Sequence, residues 1–153
     1  MAQRTIDGVA GLEALVGESL GTSDWLEVTQ DQVNRFADAT LDYQWIHVDP
    51  ERARAESPFG GPIAHGYLTL ALLPHFLGQV VEVTGISVAI NYGLNRLRFP
   101  APVPIGSRVR LGVVMKSCSH IPKGVQTVLD CRVEIDGAPK PALIAEVVFW
   151  FFP

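Results

Sequence analysis

The period of the hydrophobic positions changes along this chain, and each change predicts a new element. Val9, Leu12, Leu15 and Val16 recur at helical spacing, so residues 1–22 read as an N-terminal helical extension, followed by a short strand-like "DWLEV" at 24–28. Thr29 followed by Gln32 is a capping-box pattern, in which the hydroxyl accepts from a first-turn N–H and the amide reaches back. Val33, Phe36 and Ala37 then share one helical face, and Asp42 falls at or just past the helix end. Asp49 before Pro50 marks a second start: the carboxylate can cap, and proline is tolerated at the first helical position. A short helix is expected over 49–56.

Gly60, Gly61 and Pro62 make the segment from Phe59 to Ile63 a loop. Beyond it, Leu68, Leu70, Ala71, Leu72, Leu73, Phe76, Leu77 and Val80 occupy most of the circumference of a helix expected from about Gly66 to Val81. Such a helix is expected to be buried nearly all round. The remainder is strand-like, over about 86–99, 107–118, 125–136 and 142–152, with connections short enough for antiparallel neighbours. One apolar helix followed by four strands, with a fifth supplied earlier, predicts an α+β fold, an antiparallel sheet curled around a central helix. Gly93 marks a bulge or bend in the first long strand, and an exposed sheet edge would be available for pairing with a second copy.

Composition narrows the function classes. The 153 residues are 48% hydrophobic and 18% charged, which fits one domain over 1–153 with a substantial core. The net charge of −4 comes from acids and bases spread along the chain, so no nucleic-acid footprint is present. Pro74, His75 and Glu146 interrupt the longest apolar runs, which argues against a membrane partner. The N-terminal stretch lacks a basic start followed by an apolar block, and a cytoplasmic location is expected. Cys118 and Cys131 have no metal-ligand spacing and are expected to be reduced thiols.

Asp42 and His47, five residues apart in "FADATLDYQWIH", are a candidate proton-handling pair, although such a pair alone is commonplace. Together with "FGGPIAHGYL" and "RFPAPVPIGSRVR", this segment resembles the MaoC-type (R)-specific enoyl-CoA hydratases, and its Gln44 and Trp45 resemble the nodulation-protein-N-like branch. The resemblance covers most of the chain from about residue 24. It implies a hot-dog fold, a homodimer, and reversible hydration of trans-2-enoyl thioesters to (R)-3-hydroxyacyl thioesters. Catalytic roles carry over to Asp42 and His47. An acyl thioester of coenzyme A or acyl carrier protein is the implied substrate and partner, with no metal or redox cofactor.

Hydration needs a base for water, an acid for C2 and donors for the enolate-like oxygen. Asp42 and His47 can supply the first two in either assignment. Gly66, at a helix start, suits the oxyanion role or simply permits close packing. Gln44 keeps an amide able to hydrogen-bond, Trp45 offers an apolar wall, and Ala64 and His65 complete the substrate-binding candidates, with His65 favoured as a structural hydrogen-bonder. Leu41 stands where the family has glycine, so it is read as a steric brake on the site or, if the loop has shifted, as a core residue. Pro74 stands where some members have a serine. A non-catalytic thioester-binding module and a hot-dog thioesterase are the alternative functions; Arg96, Arg98 and Lys123 are candidates for a carrier phosphate.

Overall fold

A strand, β1 (Arg4–Asp7), precedes the first helix, α1 (Gly8–Ala14), and another, β2 (Ser19–Thr22), follows it. Residues 2–153 are described in this computed structural model; Met1, the first residue of the expected domain, lies outside them. The helical extension expected over 1–22 is therefore corrected to one short helix between two strands. The apolar spacing is helical as read, but glycines bound it: Gly8 (φ 64°) turns the chain out of β1, and Gly17 (φ 88°) leaves the helix and donates to the Met115 carbonyl at 2.7 Å.

After β3 (Leu26–Glu27) come α2 (Gln30–Thr40), α3 (Trp45–Val48) and α4 (Pro50–Glu56). Both anticipated N-caps form, with the Thr29 hydroxyl, one half of the expected box, accepting from the Gln32 N–H at 3.2 Å and Asp49 Oδ1 from the Arg52 N–H at 3.1 Å.

The central helix is divided into α5 (Gly66–Ala71) and α6 (Leu73–Val80). Pro74 has no N–H to offer and its ring crowds the preceding turn, so the helical ladder is interrupted there. The path does not end: Leu72 stays in the right-handed helical region, and the Leu72 and Phe76 N–H groups still reach the Leu68 and Leu72 carbonyls at 3.0 and 3.1 Å. Leu68, Leu73, Phe76, Leu77 and Val80 are buried, whereas Tyr67, Ala71, Pro74, His75 and Gly78 form an exposed stripe. Burial all round therefore does not hold for the single chain.

The remaining strands are β4 (Val81–Thr84), β5 (Val88–Arg98), β6 (Arg108–Ile121), β7 (Gly124–Ile135) and β8 (Leu143–Phe152). The main sheet has the order β2-β6-β7-β8-β5, antiparallel throughout, with β3 also on β6; β1 and β4 form a separate parallel pair. Beside Gly93 the register slips, because Asn91 faces Phe149 and Gly93 faces Val148, leaving Tyr92 as the extra residue of a bulge. Tyr92 stacks on Trp150 with ring centroids 3.8 Å apart. The fold is thus the expected α+β hot-dog arrangement, a curved antiparallel sheet around a central helix. Alternate residues of β6 and β7, including Leu111, Met115 and Val133, pack with Phe76 in one buried cluster that also takes in Ile6 and Val147.

Cys118 and Cys131 are unpaired, and burial raises both thiol pKa values, that of Cys131 to about 12. Among the described residues no helix is long and apolar enough to cross a membrane.

Candidate functional site

Three short segments converge at the end of α2. Leu41 closes that helix in the left-handed conformation (φ 63°, ψ 25°), which reverses the chain and presents Asp42. Asp42 Oδ1 accepts from the Gln44 N–H at 3.3 Å, an Asx turn leading into α3. Gln44 immediately precedes α3, and His47 lies within that helix, only 7% exposed. The His47 carbonyl accepts from the Gln30 amide at 2.7 Å, which ties α3 to the start of α2.

The His47 ring has a fixed orientation. Its Nδ1–H donates to the Ile63 carbonyl at 2.6 Å, so in the neutral ring Nε2 carries the free lone pair. Burial lowers the pKa of His47, the nearby His65 ring adds to the lowering, and the Ile63 hydrogen bond and the Asp42 charge oppose it. A neutral imidazole with one acceptor nitrogen is the result.

His65 stacks on His47, with centroids 4.0 Å apart and 26° between the planes. Its Nε2–H donates to the Asp42 backbone carbonyl at 3.1 Å, and the same nitrogen lies 3.9 Å from Asp42 Oδ2. One carboxylate oxygen of Asp42 and one ring nitrogen each of His47 and His65 lie within 4.8 Å of one another. Among the described residues, this is the one group of three with ligand atoms close enough to share a cation. His47 and His65 each already commit one nitrogen to a backbone carbonyl.

A cavity of about 300 Å³ opens beside this cluster, walled by His47, Ile63, Phe59, Phe99 and Val103 and by Gly66, Ala64 and Thr69 at and before the start of α5. A Cβ at Gly66 would lie 3.0 Å from the Phe99 ring, a tight contact that the glycine relieves, and helix geometry leaves its N–H without an intrahelical partner. The Ala64 N–H is committed to the Val103 carbonyl at 2.9 Å. A separate groove of about 380 Å³ between α6 and β5 has no titratable side chain in its lining.

Asp42, His47 and His65 are therefore brought together, but of these three only His47 lines the cavity, which it shares with Gly66 and Ala64; Asp42 and the substrate-binding candidate His65 lie outside its lining. Gln44, Trp45 and Leu41 are also placed differently from expectation. Gln44 is exposed and engages Asp42 through its backbone, and Trp45 lies beneath the Arg52 guanidinium at 4.2 Å; neither forms a wall of the cavity. Leu41 is 76% exposed, so it is neither a brake inside the site nor a core residue, because the left-handed turn swings its side chain to solvent. Thr69, Phe59 and Phe99 were not singled out by sequence reasoning. The signal for Thr69 was a hydroxyl inside the otherwise apolar "LTLALL".

Residues 12–133 match the family model described as MaoC like domain. The 3-hydroxyacyl-thioester dehydratase Z of Mycobacterium tuberculosis is 54% identical over 146 residues, covering 95% of this chain and 96% of that one. Nodulation protein N of Rhizobium meliloti is 46% identical over 144 residues, covering 90% and 86%. Among solved structures, the R-hydratase PhaJ1 of Pseudomonas aeruginosa superimposes with a TM-score of 0.76 at 25% identity, covering 95% of this chain and 85% of that one.

Proposed function

The chain belongs to the MaoC-like domain family, and from that premise we propose that Asp42 and His47 interconvert trans-2-enoyl and (R)-3-hydroxyacyl thioesters. It is a lyase of the dehydratase and hydratase type. The observation that carries the residue assignment is His47 itself, held neutral at the wall of an apolar cavity with only Nε2 free, close to a carboxylate.

In the hydration direction, Nε2 takes a proton from water while the water oxygen bonds to C3. The C2–C3 electron pair moves toward the thioester, where the developing oxyanion meets the Gly66 N–H. Collapse of that enolate draws the proton from the imidazolium onto C2. The Asp42 carboxylate accepts a hydrogen bond from the water's other O–H, which stays on the oxygen as the C3 hydroxyl, and its charge favours the transient imidazolium. Dehydration is the same path reversed. His65, stacked on one partner and bonded to the backbone of the other, holds the two in register. No step calls on a metal or redox cofactor; the carrier is coenzyme A or acyl carrier protein, and the two unpaired thiols support a cytoplasmic setting.

We assign the working unit as a homodimer. Val88, Ile90, Tyr92 and Leu94 are exposed on the edge strand β5, and the stripe of α5 and α6 beginning at Tyr67 is exposed as well.

The test is the absorbance of a conjugated enoyl thioester. Its water-dependent loss without thiol release supports hydration. Thiol release would instead mean a thioesterase, and binding without either change a non-catalytic module.

A further inference from the structure

The chemistry of Asp42 and His47 leaves one polar side chain of the cavity unused. Thr69, on α5, is 3% exposed, and among the side chains lining the cavity only those of His47 and Thr69 are polar. The Thr69 backbone N–H donates to the His65 carbonyl at 3.4 Å, as the helix requires. Its hydroxyl makes no hydrogen bond within the chain among the described residues. A helical threonine can turn its hydroxyl back onto the carbonyl four residues earlier, as Thr40 does onto Phe36 at 2.8 Å. Thr69 does not; among the described residues the fully buried side-chain polar atom without a partner is His65 Nδ1, so the Thr69 hydroxyl retains contact with the cavity that Thr69 lines and is free to meet a group there.

The substrate restricts what that can be. Around its reacting carbons an enoyl or 3-hydroxyacyl thioester has two oxygens, that of the thioester and the one that enters or leaves at C3; the acyl tail has no hydrogen-bonding atom. With the thioester oxygen at the Gly66 N–H, the oxygen at C3 is left for a hydroxyl one helical turn further along the same helix. We propose, as an inference that rests on the hydration reading, that Thr69 is a further substrate-contacting residue whose hydroxyl holds the C3 oxygen for His47 and Asp42. It adds no acid or base; it positions the oxygen and recognises the hydroxylated substrate.

The variants Thr69→Val and Thr69→Ser, assayed with crotonyl-CoA and (R)-3-hydroxybutyryl-CoA, test this. Valine keeps the shape and removes the hydroxyl. The expected result is a KM for the hydroxyacyl thioester raised about tenfold, the scale of one neutral hydrogen bond, with the KM for the enoyl thioester unchanged. Because the overall equilibrium constant is fixed, hydration kcat then falls about tenfold while dehydration kcat holds. Serine retains near-parental kinetics, and the valine variant melts at or above the parental temperature, since it loses a hydroxyl with no protein partner. Parental KM values for both substrates in the valine variant, a serine variant as impaired as valine, or a lower melting temperature for valine would each overturn the proposal. A parent protein inactive on both thioesters removes the hydration reading and this inference together, whereas an active parent with an unaffected valine variant removes this inference alone.

Discussion

Leu41 holds a left-handed backbone (φ 63°) while its side chain is 76% exposed, so it bears the strain of the turn and gains little from burial. A non-glycine residue in that conformation costs about 1–2 kcal/mol, and glycine's extra freedom in the unfolded chain returns about 0.5–1 kcal/mol of that. Leu41→Gly should therefore raise stability by about 0.5–1 kcal/mol and leave turnover on short and long enoyl thioesters unchanged. Denaturation curves read with steady-state kinetics check this, and a gain in turnover would restore the brake reading. His47 makes a second prediction. Burial lowers its pKa in the fold, whereas the unfolded chain titrates near the ordinary value of about 6.5. Its contribution to stability is full above that value and is lost as pH falls through it toward the lower folded pKa. The urea midpoint should drop between pH 8 and pH 5, and His47→Gln should flatten part of that drop; an equal drop in the variant would contradict the assignment. That Asp42 lies close to His47, and that Gly66 lines the same cavity as His47, was legible because each residue belongs to a local motif. That Leu41 supplies the angle a glycine usually gives, with its side chain turned outward, was not, because backbone conformation at one residue is set by the turn around it.

Caps and strand alternation are short-range features, and Thr29, Asp49 and the four long strands formed where the sequence placed them. Longer-range features were harder to read. The break at Pro74 divides a helix whose apolar pattern runs on, and the pairing of β1 with β4 joins residues Arg4 and Val81, which no local pattern connects. The exposed edge strand β5 carries the prediction at this scale. If Val88, Ile90 and Leu94 meet a second copy, Ile90→Lys places a charge in that contact, where it has no partner. The expected outcome is a dimer for the parent and a monomer with native circular dichroism for the variant, measured by sedimentation equilibrium at micromolar concentration. A parent that sediments as a monomer would contradict the dimer.

At the scale of the whole molecule, the sheet and divided helix position the start of α5 beside α3, so that an apolar cavity meets the Asp42, His47 and His65 cluster at His47. The family and the hydratase type of chemistry follow from the chain's relatives, and the central claim is that His47 carries the proton between water and C2 with Asp42 in support. The most direct test is hydration of crotonyl-CoA by the parent, Asp42→Asn and His47→Gln, followed by loss of enoyl absorbance, with thermal unfolding run on each. Loss of acid–base assistance should lower turnover about a hundredfold or more in each folded variant. Near-parental turnover in either one would remove that residue from the mechanism and contradict the account.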